Sequence, residues 1–200
     1  MRKRAGFSLL ETVVAIGVIV TGLFAVFTLV LSNLNIAEEA RFRFGAVQAA
    51  REGVEVVRMI RDANWVATSH GQPEYLDLDD ETMHSAVLEF DPAGAQWSVL
   101  EGPFTLDDLE ARIVQEAGAA GTHWTQGKTD TLTREERTSY RRVVYIYPIC
   151  SDRSVVREEG SGCGDGGLEP IGIQVRSVVR WSNAGRDQEL VVEEQLFDWR

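Results

Sequence analysis

Two hundred residues, 44% of them hydrophobic, suffice for one domain plus an extended element. The formal net charge is −11, Lys128 is the only lysine after the N-terminal trio Arg2, Lys3 and Arg4, and the later arginines are interspersed with acids, which excludes the basic stripe a nucleic-acid partner requires. The apolar residues are unevenly spread: no charge occurs from Thr12 to Ala37, whereas the rest of the chain mixes both signs, the pattern of a membrane segment joined to a water-facing domain.

The first element is the run Val13–Leu31, which as a helix measures roughly 28 Å and matches a bilayer's hydrocarbon core. A secretory signal has a shorter apolar region followed by a small-x-small cleavage site; here the run continues into "SNLNIAEEARFRFGAVQAAREGVEVVRMIRDANW". The basic trio precedes the run, which places the N-terminus in the cytoplasm and the chain beyond about residue 35 outside. In the continuation, Ile36, Ala40, Phe44, Val47, Ala50, Val54, Val57 and Ile60 recur every three or four residues, with charged residues between them and no proline before Pro73. The spacing predicts one helix from Phe7 to about Asn64, roughly 87 Å long, apolar all round in its first half and amphipathic in its second.

The short stretch "GFSLLE", residues 6–11, stands between the basic leader and the apolar run. It resembles the processing motif of type IV prepilins and pseudopilins: Gly6 before the cut, aromatic Phe7 as first mature residue, and Glu11 at the fifth mature position. A weaker likeness to minor pilins related to type II secretion pseudopilins extends to "AAREGVEVVRMIRDANW" and "VRSVVRWSNAGRDQELVVEEQLFDW". Many major pilins carry a proline in the apolar segment, whereas this chain has Gly17 and Gly22. The resemblance implies a prepilin peptidase as partner, cutting after Gly6 and methylating the new amine of Phe7. It implies assembly with other pilin subunits, through the N-terminal helix, into a filament that leaves the cytoplasmic membrane for the periplasm or cell exterior. The organisation follows as leader 1–6, membrane and assembly helix 7–35, its amphipathic continuation 36–65, and a β-rich domain 66–200. Gly6 suits a peptidase physically, because a residue without a side chain admits close approach to the backbone.

Glu11 lies about one helical turn from Phe7, near enough to the interface to cost less than the roughly 3 kcal/mol of a charge at mid-membrane. Tolerance leaves its use unexplained. In a stack of axially offset helices the Glu11 carboxylate could meet the Phe7 amine of a neighbour, which makes Glu11 an assembly residue.

Beyond Trp65 the helical period ends. "AVLEF" and "QWSVL" flank the turn "DPAGA" and predict a hairpin. "YRRVVYIYPI", residues 140–149, reads as a strand buried on both faces, while residues 116–139, rich in Gly, Thr and charge, read as a long surface loop. "GIQVRSVVRW" and "QELVVEEQLFDW" around "SNAGRD" predict a second hairpin, with Ile173, Val175 and Val179 facing inward together with Leu190, Val192 and Leu196. An antiparallel sheet with one apolar face needs a cover, and the amphipathic half of the long helix carries a stripe of matching length, so the expected fold class is α+β.

Cys150 and Cys163 are the only cysteines, on the externally exposed side; two cysteines do not complete a structural zinc site, and an oxidising compartment favours a disulfide between them. His70, His84 and His123 fall in separate loop-like segments without a metal-ligand or triad pattern, and no catalytic residue is assigned. "LDLDDE", residues 76–81, and "CGDGGLE", residues 163–169, set carboxylates beside turns, as calcium loops do, but neither has helix-loop-helix spacing; the default is solvated turn acids and no cofactor. The expected role is therefore structural, a minor pilin or pseudopilin and not an enzyme, the alternative being an envelope binding protein on an unprocessed single-span signal anchor.

Overall fold

The computed structural model describes residues 8–69, 82–91, 94–118, 121–127 and 137–197. It divides into two units, Met1–Arg43 and Phe44–Arg200. A single helix, α1 (Leu9–Ser69), runs through both, ending a few residues later than its periodicity predicts. Among the described residues seven strands follow: β1 (His84–Asp91), β2 (Gln96–Gly102), β3 (Arg112–Gly118), β4 (Gly121–Thr125), β5 (Arg137–Cys150), β6 (Pro170–Asn183) and β7 (Arg186–Phe197). They form one antiparallel sheet in which β5 pairs with β6 along one side and with β1 and β3 along the other; β2, β4 and β7 are the outer strands. The second unit is thus the expected α+β arrangement, a helix packed on an antiparallel sheet.

The helix meets the sheet through small residues. Ala46, Ala49, Ala50, Val54, Val57 and Ile60 are buried at helical spacing and join Leu88, Val144, Ile146, Ile173, Val175 and Leu196 in the core. Each fully buried aliphatic side chain there contributes roughly 1.5–3 kcal/mol. The stripe begins further along than predicted: Ile36 and Phe44 are exposed, and so is Ala40. Periodicity marks a face of a helix, but only the extent of the sheet decides where that face is covered.

Two glycines allow the close approach. A Cβ on Gly45 would lie 2.3 Å from the Tyr140 hydroxyl, and one on Gly53 would lie 2.6 Å from Ser177 Oγ and 3.2 Å from Arg142 Cδ. These notches seat Tyr140 and Ser177 under the helix and so fix where along its axis the helix sits.

Both predicted hairpins are present. In β1–β2, Asp91 pairs with Gln96, and in β6–β7, Val179 faces Leu190 and Ile173 faces Leu196 directly. Ala184 and Gly185, with φ of 49° and 74°, make the two-residue turn whose twist suits a right-handed strand pair. Strand β5 is buried on both faces as expected, since Val143 joins Val87, Leu106, Ala111 and Val178 in a second cluster on the side away from α1. The reading of 116–139 as one loop is corrected: β3 extends to Gly118, β4 lies within it, and β5 starts at Arg137. The Gly- and Thr-rich composition hid β4 because its partner in β3 is close in sequence and needs little apolar surface to pair.

Candidate functional site

In the first unit, Glu11 is exposed and occupies the first turn of α1, where a carboxylate complements the positive end of the helix dipole. Around and after it the side chains are apolar on every side and exposed: Leu9 is 83% and Leu10 73% accessible, and Val13, Ile16, Ile19, Leu23, Phe24, Phe27 and Leu31 follow in kind. The few hydroxyls are satisfied within the helix, Thr21 Oγ1 donating to the Gly17 carbonyl at 2.8 Å and Thr28 Oγ1 to that of Ala25 at 2.9 Å. These threonine hydroxyls, which hydrocarbon would penalise, are thereby paired locally. The helix contains a stretch long and apolar enough to cross a membrane by length and composition. A Cβ on Gly17 or Gly22 would meet nothing within 4 Å. Gly6 and Phe7, the predicted cleavage and methylation residues, lie outside the described residues, as do His70 and the carboxylates of 76–81.

In the second unit the most concentrated chemistry lies under α1. Arg142 of β5 is fully buried; its Nε donates to Gln126 Oε1 at 2.7 Å, and Nη1 donates to the Ala49 carbonyl at 2.8 Å and to Glu52 Oε1 at 3.0 Å. Gln126 Nε2 donates in turn to the carbonyls of Ala111 and Arg142, both at 2.8 Å. Burial pushes the Arg142 guanidinium below its ordinary pKa while the Glu52 carboxylate opposes that shift. The cation acts as a fastener between helix, β5 and the end of β4, since a buried charge is held only where its donors are matched. Sequence reasoning missed it. The one signal available was the pair of arginines in "YRRVV" that break an otherwise apolar strand.

Cys150 and Cys163 form the predicted disulfide, their Cα atoms 5.4 Å apart. It ties the end of β5 to a short 3₁₀ turn, Cys163–Gly166, in which Asp165 accepts a hydrogen bond from the Gly162 N–H at 2.9 Å. The carboxylate of "CGDGGLE" nearest the cysteine therefore serves its own turn. His84 and His123 are corrected from loops to strands β1 and β4. Each ring presents Nε2 to a glutamate, Glu101 at 3.4 Å and Glu116 at 3.7 Å. Strand pairing creates these neighbours, so sequence spacing could not reveal them. Among the described residues no group of three His, Cys, Asp or Glu side chains is placed to hold a metal ion. Compared with protein-family models, with curated proteins and with solved structures, the chain matches none.

Proposed function

We propose that this chain is a structural subunit, a minor pilin or pseudopilin, of a type IV pilus-like filament. Its role is assembly and not catalysis. The observation that carries the reading is the junction of "GFSLLE" to a helix that is apolar on all sides, exposed along its first unit, and free of charge from Thr12 to Ala37. Such a surface needs lipid or other helices around it, and a filament of stacked subunits supplies the second after the membrane has supplied the first. In this reading the N-terminus starts in the cytoplasm, a membrane-bound prepilin peptidase cuts after Gly6 and methylates Phe7, and the sheet domain lies on the far side of the membrane. Glu11 then pairs with the Phe7 amine of the adjoining subunit, neutralising two charges in a low dielectric.

Intact mass of membrane-extracted protein tests processing: loss of residues 1–6 with the gain of one methyl group is expected. An uncut leader would favour the single-span binding protein instead. Filament assembly is tested separately with Glu11→Val, which should insert and be cut normally yet be depleted from sheared filaments. Incorporation equal to that of the unsubstituted chain at matched membrane levels would remove Glu11 from the assembly role.

A further inference from the structure

The outer strand β7 offers a second surface, distinct from the apolar helix and independent of the filament reading. Its two-residue turn makes Asn183 and Arg186 a hydrogen-bonded pair, so the even-numbered residues of β7 bond to β6 and the odd-numbered ones, Asp187 to Phe197, turn their N–H and C=O groups away from it. Among the described residues no strand pairs with that side. One outward acceptor is closed: Arg61 of α1 donates from Nη1 to the Phe197 carbonyl at 3.3 Å.

Of the devices that blunt long sheet edges, β7 has no proline, lysine or bulge over its 12 residues. Its protection is acidic side chains, Glu194 on the α1 face being paired with Arg58, and acids bar a like-charged strand while admitting a basic one. On the face towards α1, Leu190 and Val192 are only half-buried, so the apolar layer is incompletely covered at this edge. On the opposite face the row reads Asp187, Glu189, Val191, Glu193, with Glu189 3.5 Å from Arg180 and Glu193 3.1 Å from Arg176. A second copy of β7 is a poor occupant: antiparallel pairing about Val191 sets Glu189 against Glu193, and in-register parallel pairing stacks each carboxylate on itself.

We infer that β7 is a strand-addition site for an extended segment of another protein, one that alternates apolar residues with lysine or arginine. The added strand pairs with the outward backbone groups, its apolar side chains continue the layer of Leu190 and Val192, and its basic side chains lie beside Asp187, Glu189 and Glu193.

The test uses the full chain in detergent micelles and two short peptides, one alternating lysine with valine and one alternating glutamate with valine. The lysine peptide should slow amide exchange in residues 186–197, and the glutamate peptide should not. Val191→Pro removes an outward N–H without touching the β6 ladder and should weaken binding about tenfold, the loss of one or two hydrogen bonds. Where circular dichroism shows that this variant has lost the fold, Asp187→Lys takes its place and should shift preference towards the glutamate peptide. Equal protection by both peptides, protection by neither, or protection that grows with protein concentration alone would overturn the inference.

Discussion

Residues 9–43 and 44–69 belong to the same helix, yet their apolar side chains meet opposite surroundings. In the first stretch large residues such as Leu23, Phe24 and Phe27 are all more than 60% exposed; in the second, Val57 and Ile60 are wholly buried while Arg51 and Glu55 face solvent. The difference lies both in how apolar each stretch is and in how the apolar residues are arranged. Bulky side chains all round leave no face on which a sheet can settle. A stripe of Gly45, Ala46, Ala49, Ala50 and Gly53 brings the helix backbone down to the strands and leaves room for Tyr140, Ser177 and Arg142.

The largest effect is expected at the fastener of the covered stretch, which the first stretch lacks among the described residues. Arg142→Ala should destabilise the sheet domain by about 4 kcal/mol in urea unfolding followed by tryptophan fluorescence, because Gln126 and the Ala49 carbonyl lose a buried donor and a cavity opens. Arg142→Met should cost clearly less, since it fills the volume. Equal losses would show that the lost hydrogen bonds, and not the cavity, set the cost.

Matched truncations sharpen the same contrast. Ile60→Ala, at a fully buried position, should cost about 3 kcal/mol, whereas Ile19→Ala, at a position 61% exposed, should leave unfolding of the sheet domain within about 0.5 kcal/mol. A comparable loss from both would mean that the two stretches unfold as one.

Removing the disulfide as Cys150→Ala with Cys163→Ala should cost about 3 kcal/mol on the chain-entropy account of a closed loop with a sequence separation of 13. Because the segment just before Cys163 hydrogen-bonds to the residue just before β1, through Met83 N–H to the Ser161 carbonyl at 2.9 Å, amide exchange should rise at the start of β1 before it rises in β7.

Glycine substitutions should split in sign. Gly53→Ala gains helix propensity of roughly 1 kcal/mol but drives a methyl into Ser177 and Arg142, for a net loss of about 1–2 kcal/mol. Gly17→Ala meets nothing and should only stiffen the helix, visible as slower amide exchange there. Stabilisation by both would remove the notch at Gly53 from the account.

The smallest effect is a titration. Hydrogen bonds from the Ser154 hydroxyl at 2.6 Å and the Ser154 N–H at 2.8 Å hold the Asp152 carboxyl below the ordinary carboxylate range. A depressed folded-state pKa stabilises above the unfolded value and is lost as pH falls through the folded one. Ser154→Ala should raise the Asp152 pKa in an NMR titration, and an unchanged value would refute the bonds as its cause.

Much of the fold was legible because it is local. The period of 3.6 from Val47 to Ile60, the alternation of "QELVVEEQLF" and the turn at Ala184–Gly185 are dictated by residues a few positions apart. The disulfide was legible for another reason: with two cysteines there is one intramolecular pairing. Gly6, Phe7 and Glu11 form a motif within six residues, so the proposed processing and assembly site rests on sequence, with the structure contributing the exposed apolar helix that follows Glu11.

What the tertiary structure alone decided involves partners distant in sequence. No local rule links Arg142 to Ala49, Glu52 and Gln126, and an arginine in an apolar strand gives no hint whether it is fastened or solvated. The covered length of the helix stripe, and hence the exposure of Ile36 and Phe44, is fixed by where the sheet ends. That one side of β7 has no strand paired to it among the described residues likewise follows from strand order, since any one strand's sequence specifies which face it buries but not which neighbours it takes.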